Sequence, residues 1–137
     1  MNAHALAEDF PRDDEAVTPM KTLLILNDAP YGTERCYDAL RLALALLKSD
    51  AAAEVSVFLM ADAFTAARRG QKTPQGCYNI ERKLKGVLAG GRGRVLRCGA
   101  CMDARGLAEV DILEGARRST MDALAAATVA ADKVLVF

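Results

Sequence analysis

The sequence predicts an α/β fold, a single three-layer α/β/α domain around a mainly parallel sheet of four to five strands. Three observations predict it. Short apolar runs at Lys21–Leu26, 54–60 and 133–137 read as strands buried on both faces. Between them lie segments with apolar residues at helical spacing, closed by glycines and capping residues. Their order, β-α-β-α-α-β-α-β, is that of crossovers joining parallel strands.

Taken in turn, KTLLIL at 21–26 is the first strand, and N-D-A-P-Y-G-T at 27–33 is dense in turn formers. Thr33 is the expected N-cap of a helix reaching about Ser49, with Glu34 at its positive end and Tyr37, Leu40, Leu44 and Leu47 along one face. EVSVFLM at 54–60 is the second strand. A short helix follows at 62–69, with Gly70 in its C′ position. A Pro- and Gly-containing loop at 71–78 leads to Asn79, which can cap a helix ending near Ala89 before Gly90 and Gly91. RVLRC at 94–98 is a brief third strand, and 98–106 is a loop or loop-to-helix junction. The stretch 110–115 fits either a turn of helix or a short strand. Ser119 starts a final, alanine-rich helix with Asp122 in capping-box position, and KVLVF at 133–137 closes the chain as a strand.

The chain has 137 residues, one domain by length, and is long enough to bury a core without disulfides. Alanine supplies 26 residues, so the core combines close backbone approach with a Leu/Val set. The 18 basic and 18 acidic residues give a formal charge of zero, which argues against a general nucleic-acid binder. No apolar run spans a membrane, and the N-terminus lacks the basic and apolar regions of a secretory signal, so the expected location is cytoplasmic. The zero conceals an uneven distribution. Residues 1–19 hold five acids and one base and read as an acidic, disordered tail, while 20–137, the expected folded domain, holds 17 bases and 13 acids. The one histidine, His4, lies in that tail, which leaves the body without histidine chemistry.

Binding sites in open α/β sheets form beyond the carboxyl ends of strands. Two loops there have unusual content. The first, containing Tyr31, Gly32 and Thr33, lacks both the G-x-G-x-x-G and the G-x-x-x-x-G-K-[ST] patterns and has only its position in favour of a phosphate site. The second is C-G-A-C at 98–101, followed by Asp103, Arg105 and Gly106. Seven bases and one acid lie between 82 and 105, so the local sequence is basic where the thiols are. A cysteine is nucleophilic as thiolate, which nearby cations favour. Zinc would need Cys36 and Cys77 to complete a four-cysteine set, with no second C-x-x-C and no histidine in the body. For the Cys98/Cys101 pair three readings stay open: an inert half-buried pair, a redox dithiol, and a thiolate that carries sulfur as a persulfide with Cys101 as resolving thiol. No motif calls for a cofactor or a metal.

Six segments in order resemble the DsrE/DsrF-like family of sulfur-relay proteins, in particular its small YchN-like branch: N-D-A-P-Y-G-T-E at 27–34, F-L-M-A-D-A at 58–63, R-G-Q-K at 69–72, Y-N-I at 78–80, C-G-A-C-M-D-A-R-G at 98–106 and A-D-K-V-L-V-F at 131–137. The resemblance covers about 20–137. It implies a three-layer fold, trimers or hexamers, and a cysteine loop near subunit contacts. It also implies that Cys98 accepts sulfur from a donor protein and passes it to an acceptor protein, with Tyr31 and Gly32 in the facing loop. Cys101 is absent from the relay subunits and present in YchN-like members. The function expected is therefore an intracellular sulfur carrier with sulfurtransferase-like chemistry. Arg105 and the amides at the helix start would hold the Cys98 anion, Tyr31, Gly32 and Thr33 would shape the pocket, and Asp103 would orient Arg105 or accept a proton. The alternatives are a non-catalytic oligomeric scaffold or small-ligand binder, and a dithiol redox protein. Neither a membrane nor a nucleic acid is expected as a direct partner.

Overall fold

Five short segments, four of them apolar or alternating, pair side by side in the computed structural model, which describes residues 19–137. The acidic tail and His4 lie outside the described residues. Strands β1 (Lys21–Leu26), β2 (Glu54–Leu59), β3 (Gly93–Cys98), β4 (Ala116–Ser119) and β5 (Lys133–Val136) form one sheet in the order β4-β3-β2-β1-β5. Every pairing is parallel, with Leu24 opposite Val57 and Leu135, and Val57 opposite Val95. The connections supply α1 (Arg35–Ser49), a 3₁₀ helix (Ala61–Ala67), α2 (Ile80–Ala89), α3 (Gly99–Ala104), a 3₁₀ turn (Glu109–Asp111) and α4 (Met121–Ala130). Helices cover both faces, giving the three-layer α/β/α architecture that the apolar runs imply.

The period of two along each strand sends alternate side chains to different layers. Leu24, Leu26, Val55, Val57, Leu59 and Val95 pack against Ala39, Leu40 and Ala43 of α1, Leu84 and Val87 of α2, and Phe64 of the 3₁₀ helix. Small residues bring α1 and α2 close: a Cβ on Gly86 would lie 3.1 Å from Leu44. The other face is thinner. Leu23 and Phe58 are covered there by Leu124 of α4, with Leu96 and Cys98 at the margin.

Two local expectations are corrected. The N-cap of α1 is Glu34 without a side-chain bond, while Thr33 Oγ1 accepts a long 3.4 Å bond from the Arg35 amide. The final helix begins one residue later than Ser119, with Thr120 as N-cap accepting from the Ala123 amide. Ser119 instead ends β4, the fifth strand, whose sequence ARRS carries two exposed arginines and has no apolar run to announce it. Arg92 is also structural: it donates to the carbonyls of Leu47, Asp50 and Ala53 at 2.6, 2.8 and 3.0 Å, holding the end of α1 against the start of β3.

Candidate thiol site at the strand rim

Because all strands run one way, their carboxyl ends share one rim. Cys98 is both the last residue of β3 and the N-cap of α3. Its Sγ accepts the Cys101 amide hydrogen at 3.3 Å, the bond a serine or aspartate would usually accept at such a cap. The helix is stopped by Gly106, whose φ of +59° suits a residue without Cβ. One turn into α3, Cys101 Sγ accepts a 3.3 Å bond from the amide of Ala61, at the end of β2. Ala61 has φ +48° and is the one non-glycine with positive φ among the described residues. That strained backbone aims an N–H at the second thiol. Both sulfurs are half-buried, and each has its own backbone donor.

Two arginine–carboxylate pairs border them. Arg105 donates to Asp62 Oδ1 from Nη2 at 2.6 Å and from Nε at 3.2 Å, and from Nη1 to the Cys101 carbonyl at 3.0 Å. Arg118, on β4, binds both oxygens of Asp103 at 3.0 and 2.8 Å. The Asp62 hydrogen bond raises the Arg105 pKa, and the Arg118 hydrogen bond lowers that of Asp103. Burial, followed by the adjoining Cys98 sulfur, pushes the Cys101 thiol up, while the Ala61 amide and Arg105 act in the opposite sense. Cys101 is thus held as a thiol beside Cys98.

The basic sequence around the thiols disperses on folding. Arg97 points to the layer opposite Cys98, is 4% exposed, and binds Glu109, the Ala116 carbonyl at 2.8 Å and Met102 Sδ at 2.9 Å. Arg92 and Arg94 lie at the start of β3, and Arg82, Lys83 and Lys85 lie on α2. Of the seven bases between 82 and 105, Arg105 is the one whose charge acts on both sulfurs. Arg118 enters from a strand outside that stretch.

Among the sequence-derived candidates, Cys98, Cys101, Asp103, Arg105 and Gly106 come together in and after α3. Asp103 pairs with Arg118 rather than with Arg105. Tyr31 turns away toward α2: its hydroxyl donates to Gln71 Oε1 and accepts the Ile80 amide at 3.2 Å, and its ring stacks on Tyr78 with centroids 5.9 Å apart. Gly32, at φ +103°, makes that turn, and Thr33 bonds Arg35. No hydrogen bond or ring contact of these three reaches the thiols among the described residues. Sequence reasoning missed Ala61, Asp62, Gly99 and Arg118. The strand-end rule applied to β2 would have found the first two. Cys36 is buried, its thiol donates to the Asp28 carbonyl at 3.1 Å, and burial with the Asp28 charge raises it to about 11. Cys77 is exposed in the loop before α2. The four cysteines are free, and among the described residues no group of three or more His, Cys, Asp or Glu is placed to hold a metal ion. No helix there is long and apolar enough to cross a membrane.

Known proteins share this arrangement of sequence and fold. The chain is 40% identical over 117 residues to the protein YchN of Escherichia coli K12, covering 85% of this chain and 98% of that one. It is 40% identical over 119 residues to the uncharacterized protein MJ0989 of Methanocaldococcus jannaschii, covering 86% and 100%. The crystal structure of the E. coli YchN protein superposes with a TM-score of 0.81 over 86% of this chain and 99% of that one. The protein of unknown function MTH1491 from Methanobacterium thermoautotrophicum shares the fold at 15% identity, with a TM-score of 0.64 over 85% and 97%. The sequence model of the DsrE/DsrF-like family matches residues 20–137. The chain belongs to the DsrE/DsrF-like family.

Proposed function

We propose that this protein is a sulfur carrier that takes up one sulfur atom as a persulfide on Cys98 and passes it to an acceptor protein. The observation that carries the reading is the pairing of two half-buried thiols at a strand end, Cys98 with an amide donor and Cys101 held protonated beside it. Membership of a family associated with sulfur relay supports it. In the loading step the Cys98 thiolate attacks the outer sulfur of a donor persulfide. A new S–S bond forms, the donor's S–S bond breaks, and the donor leaves as a thiolate. An acceptor thiolate then attacks the outer sulfur on Cys98 and restores the Cys98 thiolate. Attack by Cys101 on the inner sulfur instead gives a Cys98–Cys101 disulfide and hydrosulfide, which a dithiol reductant would reset. That route is the dithiol reading, favoured by the contact between the two thiols. Free cysteines fit a reducing, cytoplasmic setting.

The carrier would act as a homo-oligomer. Its edge strand β5 leaves Val134, Leu135 and Val136 exposed, and α4 exposes Met121 and Val129, an apolar surface contiguous in sequence that suits subunit contact. The trimers or hexamers implied by the family are the expected states. Incubation with a cysteine desulfurase and cysteine tests the function: intact mass should rise by one sulfur in wild type and in Cys101→Ser, and stay unchanged in Cys98→Ser. Equal loading of Cys98→Ser would overturn the assignment and favour an oligomeric scaffold with incidental thiols.

A further inference from the structure

The pair Arg118–Asp103 invites a question that a surface salt bridge usually does not: why a guanidinium lies on a glycine at the mouth of the thiol site. Arg118 side-chain atoms occupy the space that a side chain on Gly99 would need. A Cβ there would meet Nε at 2.7 Å, Cζ at 2.8 Å and Nη2 at 3.0 Å. Gly99 is buried under the guanidinium and immediately follows Cys98. The strand register pairs Arg118 with Arg97, on the face opposite Cys98, and from there the Arg118 side chain reaches Gly99 beyond the end of β3. Asp103 grips the other edge of the guanidinium with both oxygens, so the cation is fixed by two residues of α3.

We propose that Arg118, seated on Gly99 and held by Asp103, is a positioning residue that sets the reactivity of Cys98, a second cation beside Arg105. The inference rests on the persulfide reading and deepens it by adding a second cation, from β4, to the one that follows α3. Arg105 bonds the Cys101 carbonyl and Asp62, and its charge acts on both thiols. The Arg118 guanidinium, lying on the residue after Cys98, also feels the charge on Cys98. The groups that act on Cys98 are Cys101 on α3, Arg105 after it and Arg118 on β4; Asp62 of the 3₁₀ helix pairs with Arg105, Asp103 pairs with Arg118, and Glu109 also acts on Arg118. Two carboxylates therefore temper two cations, and the field at Cys98 depends on which partner is removed.

The two possible roles of Arg118 predict opposite signs. If it is only a staple joining β4 to α3, Arg118→Gln and Asp103→Asn break the same bridge and act alike. If its charge serves Cys98, Arg118→Gln slows Cys98 and Asp103→Asn, which leaves the cation unopposed, speeds it. The experiment is iodoacetamide alkylation across pH 6–9 in the full chain carrying Cys101→Ser, read by mass spectrometry on the tryptic peptide 98–105, with no sulfur donor present. Expected at pH 7 are a roughly fivefold slower rate for Arg118→Gln, a roughly two- to fivefold faster rate for Asp103→Asn, and recovery of most of the rate in Arg118→Lys; ~1 M salt should shrink each difference. Gly99→Ala should displace the guanidinium, act in the direction of Arg118→Gln, and add nothing to it in the double variant. Unchanged rates, or Arg118→Gln and Asp103→Asn shifting the same way, would overturn the assignment. Failure of the carrier reading looks different: the rates would divide as described, yet Cys98 would take up no sulfur from a desulfurase.

Discussion

Replacing Arg97 with methionine separates structural from chemical roles among the arginines near the thiols. Arg97 is buried, and its guanidinium ties together three elements: the start of β4 through the Ala116 carbonyl, α3 through the Met102 side chain, and the 3₁₀ turn through the Glu109 side chain. Removing one partner of a fully buried ion pair costs about 3–5 kcal/mol because the other charge is stranded. Here Glu109 is 63% exposed and regains water, so that part of the penalty falls away. What remains is the Ala116 carbonyl, on a residue 5% exposed, left with one partner fewer, together with the lost charged hydrogen bonds. Methionine fills part of the vacated volume. The net expected loss is about 2–3 kcal/mol, a fall in Tm of about 10 °C for a domain of this size. Urea unfolding followed by circular dichroism measures the first, and Cys98 alkylation in the folded variant measures the second role. The alkylation rate should stay within about twofold of wild type, since the buried Arg97 guanidinium is engaged by the Ala116 carbonyl, Met102 and Glu109 and bonds neither thiol. Undiminished stability combined with a more than roughly tenfold slower Cys98 would refute the reasoning and make Arg97 an activator of the thiol.

Other outcomes follow from the same contacts. Arg92→Ala, which removes three carbonyl contacts at the far end of β3, should cost about 2 kcal/mol in urea unfolding and leave thiol alkylation unchanged. Glu81 is 7% exposed; burial raises its pKa, but bonds from the Gln71 and Gly70 amides and Lys85 outweigh that and hold it below 4.5, so its stabilisation is present above pH 4.5 and lost as pH falls further. Glu81→Gln should accordingly lower stability at neutral pH and flatten its acid decline, as thermal unfolding from pH 7 to 3 will report. With its thiol at about 11, native Cys36 is roughly one-thousandth ionised at pH 8 and should alkylate at least tenfold more slowly than exposed Cys77 in a peptide-resolved time course. Val136→Glu, at a residue 67% exposed on the edge strand, should shift the proposed homo-oligomer toward monomer in light scattering after size exclusion.

The layered fold was legible because buried parallel strands leave continuous apolar runs such as KTLLIL, and because Asn79 caps its helix as its position suggests. Strand β4 was not. A four-residue edge strand with two solvent-facing arginines has no apolar run after the Gly115 turn, and it hides the residue that faces Gly99. The C-x-x-C loop and Arg105 were visible as neighbours in sequence. The crowd of bases was misleading for a geometric reason: successive strand residues alternate faces and separate by about 3.3 Å each, so Arg97 and Arg92 leave the thiols for the core and the opposite end of the sheet. Conversely, Ala61 and Asp62 reach the site across strands, and nothing local marks an alanine with positive φ. The Tyr31 loop sits at the same rim, yet the side chain packs where its own aromatic neighbours are, on Tyr78 and beside Tyr37.

Locating the transferred sulfur tests the central claim most directly. Wild-type protein loaded with a cysteine desulfurase and cysteine, trapped with iodoacetamide and digested with trypsin, yields peptide 98–105 containing both thiols. Fragment spectra should place the additional sulfur on Cys98 and leave Cys101 singly alkylated. A peptide with no added sulfur, or with the sulfur on Cys101, would contradict it.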